Sequence, residues 1–165
     1  MRRFAAAAVL AFAGTATPIQ AASPAAHAPQ TAAVKALDKV LDVADRDDEV
    51  LDDLLHRYPV PPAKRIDYAK WLTADLLASL RAEEKKLVDK DCGGKYREGD
   101  ICGMDFNPLT CAQDTVQPMK FRTLSQNADV AVIARDDASY RMVRTASGWK
   151  LDGVKCGGDA KFNFP

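Results

Sequence analysis

The chain is poor in the side chains most often used for catalysis and metal binding. It has two histidines in 165 residues, and one of them, His27, lies close to the N-terminus. No H-E-x-x-H pair, G-x-S-x-G elbow or serine–lysine signature occurs, which excludes the common zinc-hydrolase and serine-hydrolase arrangements. The glycines between Cys92 and Gly103 are not followed by the Lys-Ser/Thr of a phosphate-binding loop, so no cofactor is expected. Net charge is also lacking, with 23 basic side chains against 23 acidic ones. Nucleic acid and anionic lipid both need a basic surface, so neither is an expected partner. No apolar run after residue 21 approaches the roughly 20 residues that a membrane-spanning helix requires, and no integral membrane segment is expected there.

What is present begins with an address. Met1-Arg2-Arg3 is a short positive region, Phe4 to Ala16 is an apolar run rich in alanine, and Thr17-Pro18-Ile19-Gln20-Ala21 supplies a helix breaker and a small residue. This pattern predicts a secretory signal peptide over 1–21, with cleavage after Ala21 and a weaker alternative after Ala28. No cysteine lies near the cleavage point, so no lipid anchor is expected there. Residues 22–31, rich in Ala, Pro, Ser and Gln, read as a flexible leader, and 32–165 as a single domain.

The four cysteines, Cys92, Cys102, Cys111 and Cys156, all fall in that domain. An even count in an exported chain implies two disulfides with three possible connectivities. Their gaps are longer than the paired short spacings of a zinc site, so no metal is expected. Pairing Cys92 with Cys102 would close the glycine-rich loop locally. Pairing Cys111 with Cys156 would tie the start of the C-terminal half to its end.

Apolar residues recur at helical spacing over Val34–Ala44, over Val50–Tyr58 until Pro59, Pro61 and Pro62, and over Leu76–Val88. Thr73 is a candidate N-cap for the last of these helices, with Asp75 in its first turn. Arg81, Glu83, Glu84, Lys85 and Lys86 read as its solvated face, and His56 as a partly exposed histidine on the second helix. Beyond Asp114 the period becomes two. Strands are predicted over Lys120–Leu124, Ala128–Ala134, Ser139–Arg144 and Trp149–Cys156, with turns at Asp136-Asp137 and Ala146-Ser147. Helices followed by strands predict an α+β fold, with N-terminal helices packed on one face of an antiparallel sheet.

Between the two halves lies Asp105-Phe106-Asn107-Pro108-Leu109-Thr110-Cys111-Ala112-Gln113-Asp114. Together with Leu72-Thr73-x-x-Leu76-Leu77 and Gly148-Trp149-Lys150-Leu151-Asp152, it resembles the bacterial family called domain of unknown function 3828, over about Val50 to Cys156. The resemblance implies an exported envelope protein with a nuclear-transport-factor-2-like cone, a curved antiparallel sheet wrapped around helices. It implies no activity. The loop at 92–102 and the prolines at 59–62 depart from the family pattern.

A cone of that kind can hold an aspartate as a general base, which makes Asp105, Asp114 and Asp152 candidates. Tyr68, Tyr140 and Trp149 are the possible pocket walls. Asp105 and Asn107 are also good turn formers, and Asp152 opposes the core-facing parity of Trp149 and Leu151, which predicts exposure to solvent. The functional expectation is an exported, non-catalytic periplasmic protein that binds a small ligand or an envelope protein. The alternatives are a small hydrolase or isomerase using an aspartate, or a periplasmic immunity or inhibitor protein.

Overall fold

A computed structural model of the chain describes residues 31–46, 50–59, 61–96, 102–113, 120–157 and 160–165. The expected signal peptide, nearly all of the leader, His27 and Asp114 lie outside the described residues. Helix α1 (Ala32–Arg46) starts where the leader was expected to end, and the Thr31 hydroxyl accepts the Val34 N–H at 3.3 Å as its cap. Ala33, Val34, Leu37, Val40, Leu41 and Ala44 form its buried stripe, matching the spacing in the sequence. Helix α2 (Val50–Leu55) is shorter than its apolar pattern predicts, because the chain turns out of the helix at His56. Helix α3 (Ala74–Cys92) is capped by Thr73, whose hydroxyl accepts the Leu76 N–H at 3.3 Å, and stops at Gly93 in the left-handed conformation.

The C-terminal half is an antiparallel meander in the order β1 (Arg122–Gln126), β2 (Val130–Arg135), β3 (Ala138–Thr145), β4 (Gly148–Lys155) and β5 (Lys161–Phe162). The fold class is therefore α+β, and the two tight turns fall at 136–137 and 146–147 as predicted. Ala131, Ile133, Ala138, Tyr140, Met142, Leu151 and Val154 join the helix stripes in one core. Tyr140, Leu37, Leu41, Leu76, Leu80, Ile133, Met142 and Leu151 are fully buried, so side chains fill the space between helices and sheet. Each such aliphatic side chain contributes about 1.5–3 kcal/mol through burial.

Two exposure expectations fail for identifiable reasons. Strand β4 carries a bulge, since Arg141 pairs with Gly153 while Met142 pairs with Leu151. The extra residue is Asp152, and parity reverses after it, which sends Val154 into the core. Asp152 is buried rather than solvent-facing. It accepts the Thr73 hydroxyl at 2.7 Å and pairs with Arg141 at 2.5 Å, linking the cap of α3 to the sheet. Glu84 likewise does not belong to the solvated face of α3. It follows Leu76 and Leu80 at intervals of four and precedes Val88 by four, so it lies on the buried stripe.

The 102–113 segment fills the gap between α3 and the sheet, with Met104, Leu109 and Thr110 buried. Asn107 organises its turn. The Asn107 side-chain oxygen accepts the N–H groups of Leu109 and Thr110 at 2.9 and 3.3 Å, and its amide donates to the Ala44 carbonyl at 2.8 Å, near the end of α1. Disulfides join Cys92 to Cys102 and Cys111 to Cys156, the pairing expected from their positions.

Tyr140 makes the core sensitive to alkali. Burial pushes its hydroxyl up to about 12 from 10.0; Asp136 and Asp137 act in the same direction, and the neighbouring Arg135 cation opposes them. The folded state keeps this proton while the unfolded chain loses it, so stability is intact below pH 10 and falls between 10 and about 12. The expected slope from this group is about 1.4 kcal/mol per pH unit. Urea titrations of wild type and Tyr140→Phe across that window should differ by this slope; parallel curves would show that Tyr140 ionises freely in the folded state.

Candidate functional site

The chain leaves α2 through a tight reversal. Arg57 donates its backbone N–H to the Asp52 carbonyl at 3.0 Å, and His56 between them takes φ 60. This is the left-handed C′ position that usually takes glycine. A residue with a β-carbon there costs about 1 kcal/mol, and it persists because both flanks are held. Leu54 and Leu55 are buried, and the Leu54 carbonyl accepts Arg81 Nε at 3.0 Å. On the other side, Arg57 donates Nε and Nη2 to the two Glu84 oxygens at 2.7 and 3.1 Å, and Nη2 also reaches the Met104 carbonyl at 2.6 Å.

The pair is further enclosed. Met104 N–H donates to Glu84 at 2.8 Å, and Gly103 approaches so closely that a β-carbon would run into the Glu84 carboxylate. The Tyr96 ring lies 5.8 Å from the Arg57 guanidinium and 5.5 Å from the Tyr58 ring. Arg57 and Glu84 are thus matched to each other and fix the frame in which His56 sits.

His56 lies where two surface grooves meet. One, of about 550 Å³, is lined by Asp52, Asp53, Arg57, Tyr58, Pro59 and Arg65 together with His56. The second, of about 390 Å³, shares Asp53, His56 and Arg65 and continues along Ile66, Asp67, Tyr68 and Ala69 to Leu77 and Arg81 of α3. Asp53 accepts the Ile66 N–H at 2.7 Å, which draws the 65–66 segment against α2. Partial desolvation holds the His56 pKa below 6.5; Arg81 and Arg65 lower it further, and Asp53 opposes them. Burial also lowers Arg81, again against Asp53. A depressed histidine adds stability above pH 6.5 that is lost as pH falls through its folded pKa, so acid destabilises this corner.

The residues expected to line a pocket do not converge. Tyr68 is largely core but contributes to the wall of the second groove. Tyr140 is sealed within the core, opposite Ile133 and Val154. Trp149 lies half-buried at the far end of β4, paired with Arg144. Asp105 is exposed and accepts Gln113 Nε2 at 3.3 Å, as a turn residue would. Sequence reasoning did not single out Asp53, Arg65 or Arg81 as site residues. The only signal for Asp53 and Arg65 was proximity in the chain to His56, whereas Arg81 reaches the groove because α3 packs beside α2.

Among the described residues no group of three or more His, Cys, Asp or Glu could hold a metal ion, and no cysteine is free. What the arrangement offers is recognition: a cationic fork, an imidazole and a carboxylate over an apolar wall. No family model, no curated protein and no solved structure matches this chain.

Proposed function

We propose that this is an exported periplasmic binding or accessory protein that recognises its ligand without catalysis, in the surface grooves that meet at His56. The observation that carries the reading is the backbone of His56. A glycine would carry no strain at that position, and the histidine that stands there lines both grooves. Export is supported by the N-terminal pattern and by two disulfides, which persist in oxidising compartments. Among the described residues no helix is long and apolar enough to cross a membrane. A recognition surface outside the core is supported by the filled space between helices and sheet. The cone form of the sheet, and membership of the domain of unknown function 3828 family, belong to the same proposal and add no activity to it.

His56→Gly separates function from fold. Relief of the left-handed strain should raise the melting temperature, while fragments that bind the wild-type protein in ligand-observed NMR should lose their contact. A stabilised variant that keeps every fragment would remove the groove from consideration.

A further inference from the structure

We propose that the second groove takes a small organic monocarboxylate, with its carboxylate on Arg81 and His56 and its apolar body on Ile66 and Leu77. This rests on the groove being the recognition site and names what it recognises. Arg81 is partly buried, and its Nε donates to the Leu54 carbonyl, a neutral acceptor. Among the described residues Asp53 is the carboxylate that acts on it, and both line the groove. Arg57, by contrast, is matched by Glu84 and cannot serve a ligand.

A partly desolvated guanidinium gains most from an anion, and its planar fork fits a carboxylate through two parallel N–H bonds. His56 stands in the same groove and becomes a second cationic donor once protonated. The charged groups that line the grooves around it are Asp52 and Asp53 from α2, Arg65 and Asp67 from the following segment and Arg81 from α3, with Arg57 held by Glu84. Asp53 and Asp67 set the valence, because a dianion would meet twice the repulsion from these carboxylates that a monoanion meets. Ile66, Ala69 and Leu77 offer an apolar wall, and about 390 Å³ accommodates a molecule of modest size.

Benzoate is the probe, with benzyl alcohol as its neutral counterpart and inorganic phosphate as the competing anion. The full disulfide-bonded chain is titrated while the His56 imidazole signals, identified by their loss in His56→Gly, are followed by NMR. Benzoate is expected to shift them saturably, to raise the titration midpoint of His56, and to bind more tightly below that midpoint than above it. Arg81→Gln should weaken binding about tenfold or more, the effect of losing a charge-assisted bond, and Arg81→Lys should restore part of it. The rise in the His56 midpoint is read in the wild-type protein, so the test stands even if Arg81 variants fold poorly. Equal binding of benzyl alcohol would overturn the carboxylate assignment and leave the groove as a binding site. Phosphate binding as tightly as benzoate would overturn the choice of a monocarboxylate. Absence of any shift with both organic probes would overturn the groove itself.

Discussion

Glu84→Ala is expected to lower the unfolding free energy by about 3–5 kcal/mol, the effect of removing one partner from a buried ion pair. Glu84 is 2% exposed and accepts three hydrogen bonds, two from Arg57 and one from Met104 N–H. Alanine leaves the guanidinium without its anion and the Met104 amide without its acceptor. Since a domain of this size has a total stability of about 5–15 kcal/mol, the variant should sit close to the limit of folding. The double variant Arg57→Met/Glu84→Leu tests the cause. It buries no lone charge, so it should be more stable than Glu84→Ala. It should still fall below wild type, because the Met104 N–H and C=O both lose partners at about 1–3 kcal/mol each. Urea unfolding of the three proteins decides. A Glu84→Ala loss under about 1 kcal/mol would mean that water replaces the carboxylate at this site.

Removing the Cys111–Cys156 disulfide is the other large effect. The bond closes a loop with a sequence separation of 45, against 10 for Cys92–Cys102. Loop-closure entropy assigns about 4.0 kcal/mol to the first and about 2.8 kcal/mol to the second. Cys111 follows the Asn107 turn and itself holds φ 60, while Cys156 follows the last residue of β4, so the bond fastens the inter-half segment to the sheet. Chemical denaturation of Cys111→Ala/Cys156→Ala and Cys92→Ala/Cys102→Ala should reproduce that order. The opposite order would mean that the native contacts flanking the short loop, Met104 on Glu84 above all, outweigh the entropy of the unfolded chain.

Much of this architecture was legible because it depends on neighbours in the chain. The stripe from Val34 to Ala44, the cap at Thr73 and the period-two runs after Asp114 are local patterns, and the elements formed where they lie. Strand β5 was missed because two residues carry no period. Asp152 was misplaced because one bulge, invisible in the alternation, interrupts β4 there and reverses its faces beyond it. Glu84 was misread because its charge was weighed above its spacing, and a buried carboxylate is tolerated only when distant groups meet it. The candidate site was less legible still. His56 was expected on a helix that ends one residue before it, and Arg81 enters its surroundings from another helix.

The sequence by itself determined the α+β order, the even set of cysteines for two disulfides and the turn-forming role of Asn107, since each rests on residue type and short spacing. Only the tertiary structure decided which polar groups face each other: Arg57 with Glu84, Thr73 with Asp152, and Arg81 with His56. Such pairs span tens of residues, and burial fixes them, because a charged group removed from water must meet its partner wherever packing places it.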